Sequence, residues 1–234
     1  MSSTLAAGIQ VGHHITATFA GFTFNLDTIW STALAGLIVI GLGLYMRRSI
    51  THGVPSKLQL TWETVVDYVE REVRSNVGPR APYVVPLAVT LFFFILIANW
   101  LELIPTGHKI VAPTADVNLT YALGLFVVLW SYADGVRRLG AGAYIKGLFK
   151  PYAIMFPINV IDELMRPFTL ALRLFGNMFA GGLMLTLLAL LPAYILWLPQ
   201  AGWRLFDMFI GVIQAFIFAL LTILYFGMAR SSEH

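Results

Sequence analysis

The residues hardest to reconcile with their surroundings sit inside the longest apolar run of this chain. That run covers about residues 154–191 and includes INVIDELMRPFTLALRLFGNMFAGGLMLTLLALL, so Asp162, Glu163, Arg166 and Arg173 stand among aliphatic neighbours. An ionised group at the centre of a membrane helix costs roughly 2.5–3.5 kcal/mol even on the lenient insertion scale, and it persists where it faces protein or a water-filled cavity. On a helix turning about 100° per residue, Asp162, Arg166, Thr169, Arg173 and Asn177 fall within one narrow arc, with Glu163 at its edge. Asp162 or Glu163 can pair with Arg166 by helical spacing, which is a structural role. Arg173 has no acid within its own turn, so its counter-charge has to come from elsewhere, most naturally from another chain. The rival reading, a side chain snorkelling to a headgroup, is disfavoured by its depth in the run.

A second polar stripe lies near the C-terminus. Asp207 and Gln214 are seven residues apart, nearly two turns, and Gly211, Phe218 and Tyr225 share their face. Alone, Gln214 reads as an ordinary interhelical hydrogen-bonding group. Together with Asp207, Asn177 and Arg173 it suggests a polar lining between two adjacent helices. Pro167 is expected to bend or locally open its helix. Gly181 and Gly182 permit close approach of a neighbouring helix.

The elements that must carry these residues follow from composition. Hydrophobic residues make up 58% of the chain and charged residues 12%, against about 25% charged in soluble domains. Mean hydropathy is +0.77. The apolar excess has to face lipid. There are no cysteines, which removes disulfides, thiolate metal sites and thiol nucleophiles. His13, His14 and His52 read as solvated loop residues, and no His–carboxylate cluster suggests a metal. The net charge of +3 reads as basic flanks of membrane spans rather than a nucleic-acid surface. The first residues lack a basic stretch followed by an apolar core, so no signal peptide is expected.

Five apolar runs read as membrane helices: Thr28 to Met46, Tyr83 to Ile104, Val117 to Val136, Ile154 to Leu191 and Leu205 to Ala229. The expected fold class is therefore all-α, a polytopic membrane bundle forming one domain over 1–234. The last two helices are expected to be long and tilted, making an ion-path hairpin over 154–229. Residues 59–76 place Glu63, Asp67, Glu70, Arg71 and Arg74 on one side, and Leu58, Trp62, Val65, Val66, Val69 and Val73 on the other. That pattern fits an amphipathic helix lying along the membrane interface; a short coiled contact with a partner subunit is the competing reading. If five spans alternate, nearly all loop Lys and Arg residues fall on one side, leaving only Lys109 and Arg204 on the other. The positive-inside rule then puts 1–27 outside and the C-terminus in the cytoplasm.

These residues resemble a known family. Arg166 to Gly181, RPFTLALRLFGNMFAG, looks like the signature of ATP synthase subunit a; IQAFIFALLTILYF, Ile213 to Phe226, resembles its last helix. NWLELIPTG followed by APTADVNLTYALG is a third similar block, so the resemblance covers about residue 95 to the C-terminus. The resemblance implies a non-catalytic stator subunit in a bacterial plasma membrane, of bacterial type with a mycobacterial or related actinobacterial cast. It implies two half-channels that deliver protons to and from a c-ring, and b-type peripheral-stalk subunits as further partners. No cofactor is implied, and no phosphate-binding glycine loop is present, so ATP chemistry would belong to other subunits. The family's essential arginine maps onto Arg173, and Asn177 and Gln214 onto polar positions near it.

One departure stands out. Many bacterial relatives carry a glutamate at the position of Gly182 and a histidine at the position of Asp207. Here the acid is on the last helix, with Gly182 expected opposite, and Asp207 is expected to titrate in the outer half-channel; a structural pairing with Arg204 is the alternative. Glu102, His108, Asp116 and Asn118 are expected near the outer mouth, admitting protons or holding the loop. Two other functions compete: a secondary transporter binding an anionic substrate at Arg173, and a structural assembly subunit with no ion path. The absence of a convincing repeat weighs against the transporter.

Overall fold

The computed structural model describes residues 16–19, 22–50, 56–79, 81–101, 113–140, 142 and 156–230. Within the helix over 156–188 the side chains of Asp162, Glu163, Arg166, Pro167 and Asn177 lie outside that description. Glu102 and His108 lie outside the described residues altogether.

Six long helices make up the described chain: α1 (Leu26–Ser49), α2 (Lys57–Asn76), α3 (Val84–Leu101), α4 (Val117–Leu139), α5 (Phe156–Leu188) and α6 (Ala193–Arg230). The all-α membrane reading holds. Four of them, α1, α3, α4 and α6, contain stretches long and apolar enough to cross a membrane, and α5 adds a shorter apolar stretch, Phe179–Leu188. One addition was not expected. Two short strands, β1 (Thr16–Phe19) and β2 (Phe22–Asn25), pair antiparallel just before α1, with Thr16 opposite Asn25 and Phe19 opposite Phe22.

Local chemistry explains the helix ends. Ser56 caps α2 by accepting from the Gln59 N–H at 3.2 Å. Beyond its last turn, Gly78 adopts φ +93°, and its N–H bonds to the Val73 carbonyl at 3.1 Å. Asp116 caps α4 by accepting from the Asn118 N–H at 2.8 Å. The basic ends of α1 (Arg47, Arg48) and α4 (Arg137, Arg138) complement the helix dipole.

The last helix begins twelve residues before the expected Leu205. It runs through Pro199, whose missing N–H removes one ladder bond without ending the helix. Likewise α5 continues unbroken through Pro167, so the expected opening there does not occur as a break in the helix. At 1.5 Å per residue, α5 and α6 are about 50 and 57 Å long, well beyond the roughly 30 Å hydrocarbon core. Both are long, as expected; their length exceeds the core whether they tilt or extend beyond it.

The core lies where α2, α3, α4 and α6 converge, around Val73, Val84, Ile95, Val127, Ile223 and Phe226. Trp62 of α2 stacks on Phe93 of α3, with centroids 4.6 Å apart. Of the apolar face expected for α2, Val69 and Val73 are buried, whereas Leu58 is exposed and Gln59 is buried in its place. The most extensive packing of α6 is against α3, then α4; α5 rests mainly on α4, and α5–α6 contact is limited. Much apolar surface remains outward, including Trp30, Leu37, Ile40 and Leu129, as lipid-facing helices require.

Candidate ion-path site

Arg173 lies about midway along α5, and its side chain is exposed on the surface of the chain. Among the described residues no hydrogen bond or ion pair engages it. One turn earlier, Thr169 is also exposed, its hydroxyl donating to the Met165 carbonyl at 3.1 Å. The α5 backbone places Asp162, Glu163, Arg166 and Asn177 on the same helix, but their side chains lie outside the described residues, so the expected Asp162/Glu163–Arg166 pairing does too.

Asp207 is partly buried on α6, three residues after Arg204. Its contact across to α5 is Gly181. A Cβ at Gly181 would stand 3.4 Å from Asp207 Oδ1, while one at Gly182 would meet nothing within 4 Å. The expectation that Gly182 lies opposite the acid is therefore corrected by one residue. On a helix that offset is about 100°, enough to turn Gly182 away from α6.

The turn of α6 after Asp207 is gripped by α3. Asn99 donates through Nδ2 to the Gly211 carbonyl at 3.5 Å, and Trp100 donates through Nε1 to the Met208 carbonyl at 3.3 Å. A Cβ at Gly211 would come within 3.3 Å of Asn99 Cβ, so the absence of a side chain there lets α3 approach. Asn99 in turn accepts from the buried Thr114 hydroxyl at 2.9 Å. Gln214 is 7% exposed, and among the described residues its buried Nε2 has no hydrogen-bond partner. The face shared by Asp207, Gly211, Gln214, Phe218 and Tyr225 turns inward from Gly211 onward: the last four are buried.

Asp116 is the hub of a neighbouring polar cluster. It is buried, and its Oδ2 accepts from Asn25 Nδ2 at 2.7 Å and from the Thr28 hydroxyl at 2.8 Å. Its other oxygen caps α4 through the Asn118 N–H, while the Asn118 residue itself is exposed. Asp116 thus joins the start of α1 to the start of α4.

With this geometry in place, known proteins can be set beside the chain. Residues 28–227 match the family model described as ATP synthase A chain. The chain belongs to that family. A subunit a from Acidothermus cellulolyticus is 53% identical over 231 residues, covering 97% of this chain and 85% of the relative. One from Mycobacterium marinum is 49% identical, covering 99% and 97%. One from Vibrio cholerae is 36% identical, covering 89% and 85%. Family membership and the apolar helices together make this a multi-pass membrane protein of the ATP synthase A chain family, and its similarity to mycobacterial chains agrees with the resemblance drawn from the sequence.

Three groups of residues escaped sequence reasoning. Asn99 and Thr114 lay inside a recognised block but were not singled out. Asn25 and Thr28 carried no signal. Tyr83, Asp134 and Arg230 form a network at the opposite end of the bundle. Arg230 Nε donates to Asp134 Oδ2 at 2.5 Å, with the side chains 6% and 12% exposed. Tyr83 donates to the other Asp134 oxygen and accepts from Arg230. Asp134 could have been found: an acid inside an apolar run needs a cation from another helix.

Proposed function

We propose that Arg173 is the fixed charge past which the carboxyls of a c-ring move. As a member of this family the chain is a non-catalytic stator subunit in the membrane sector of an ATP synthase, serving proton translocation. The transporter and assembly-subunit alternatives find no support among its relatives. The observation that carries the arginine's role is a cation exposed on α5, free of hydrogen bonds and ion pairs to the described residues. A guanidinium stays protonated at any working pH. It favours the ionised form of a carboxyl that passes within a few ångströms. As a fixed cation it also opposes direct proton leakage between two half-channels.

On this reading the outer half-channel passes Asp207, between α5 and α6. The buried Gln214 amide and the Asn99–Thr114 pair supply polar groups on its α3 side. Asn177 belongs to the same path by its place on the α5 stripe. Glu102, Asp116 and Asn118 belong to the outer mouth, with Asp116 holding that mouth together. The asymmetry of loop charges puts the N-terminus outside and the C-terminus in the cytoplasm, with α2 lying at the inner interface. Further partners are the b-type subunits of a peripheral stalk.

The test is Arg173→Ala in the assembled complex, reconstituted in vesicles. Ion-driven ATP synthesis should vanish while assembly is retained; intact synthesis would refute the assignment. Asp207→Asn tests the relay separately, and unchanged proton-driven synthesis would remove Asp207 from the path.

A further inference from the structure

A cavity of about 220 Å³ opens between α2, α3 and α6, away from the α5 stripe. Val65 and Val69 of α2 form one wall; Phe92 of α3 and Ala219, Leu220 and Ile223 of α6 form the other. Tyr68 and Phe216 face each other at its edge, with centroids 5.5 Å apart. The Thr64 hydroxyl is turned back to the Leu60 carbonyl at 2.7 Å, so it adds little polarity. Among the described lining residues the one ionised group is Arg71.

Arg71 is the informative residue. Its neighbour Arg74 is paired with Glu70 at 2.5 Å. No described acid bonds to Arg71, and it is exposed at the rim. An apolar cavity whose described lining carries one guanidinium, exposed and bonded to no described acid, matches an anionic amphiphile: a slim chain inside, a phosphate outside. Drug-sized ligand pockets run to roughly 300–1,000 Å³, so this smaller slot suits one hydrocarbon tail rather than a bulky ring system. Guanidinium groups hold phosphate oxygens in paired hydrogen bonds, and basic sites beside membrane helices on the cytoplasmic side recognise anionic headgroups.

We propose that this cavity is a binding site for one anionic phospholipid, with an acyl chain against Phe92, Ala219 and Ile223 and the headgroup phosphate on Arg71. The lipid would fill the angle between the amphipathic helix and the bundle. The site is independent of Arg173; it rests on the proposed placement of α2 at the inner membrane interface.

The test uses the whole synthase complex in phosphatidylcholine nanodiscs. Trace phosphatidylglycerol or phosphatidylcholine carrying a photoreactive acyl chain is added, and labelled peptides are mapped by mass spectrometry. Phosphatidylglycerol should label the α2 and α6 walls several-fold more than phosphatidylcholine, and unlabelled phosphatidylglycerol should compete it away. Arg71→Gln should bring the two lipids level, and Ala219→Phe should abolish wall labelling by both. Because the competition needs no variant, the proposal stays testable if Ala219→Phe fails to assemble. Equal labelling by both lipids in the unaltered chain would overturn it. So would wall labelling no greater than that of the lipid-facing Leu37, or cross-linking of a cysteine placed at Leu220 to another subunit.

Discussion

Gly181 and Asp207 bring α5 against the polar face of α6. A methyl group at Gly181 would sit at ordinary contact distance, 3.4 Å from the carboxylate, whereas Gly182 has open space. Gly181→Val should therefore push the carboxylate aside and lower proton-driven ATP synthesis by on the order of tenfold, since misplacing a reacting group by about 1 Å can cost more than that. Gly182→Ala should leave the rate nearly unchanged. Rates measured on vesicles containing each variant decide the matter, and a larger loss at Gly182 would reverse the assignment. The same pair shows where sequence reading stopped. Helical spacing lines up the α5 stripe in the sequence, and of it the structure describes the side chains of Thr169 and Arg173, both exposed. Which of two adjacent glycines meets α6 depends on the rotation of one helix against another, and no local spacing encodes that. The Asn99–Thr114 bond was hidden for a similar reason, as it joins an ordinary amide to a hydroxyl across a loop.

At the scale of elements, five apolar runs and one amphipathic helix could be read because lipid demands long uninterrupted apolar helices. Their ends were less legible. The segment containing Pro199 and Gly202 looks like a break, yet α6 runs through it, and Thr–Phe alternation in TATF and FTFN is too short to stand out as a hairpin. The joint between α2 and α6 is tight in a way composition does not reveal. A Cβ at Gly227 would come within 2.7 Å of the Asn76 carbonyl oxygen. Gly227→Ala should force the end of α2 away from α6 and cost about 1–3 kcal/mol, the usual range for overpacking. A thermal melt of the detergent-solubilised complex reads this out; an unchanged midpoint would show that the joint yields freely. At the other end of the bundle, Asp116→Ala removes a helix cap and leaves Asn25 and Thr28 without their acceptor. The same melt should show a loss of at least about 1–3 kcal/mol, whereas a neutral outcome would mean that water replaces the carboxylate.

Across the whole molecule, Arg230 illustrates what positional rules miss. Its place after the last span reads as a basic flank, yet it is a half-buried partner of Asp134 and lies over the Tyr83 ring, 5.4 Å from the centroid. Breaking a buried ion pair by removing one partner typically costs about 3–5 kcal/mol, because the other charge is stranded. Asp134→Ala should destabilise by that order. Arg230→Ala combined with Asp134→Ala should cost clearly less than the sum of the two single changes. Additive losses in chemical-denaturation measurements would show that the two residues act separately.

Pinning at both ends gives α4 a mechanical role. Asp116 ties its beginning to α1, and Asp134 ties the region near its other end to α3 and α6. Because α5 packs mainly on α4, a sideways load on α5 from the proposed c-ring would be carried into a helix fastened at both supports. Such a load would then pass on to α1 and α6, to which α4 is bonded at its two ends.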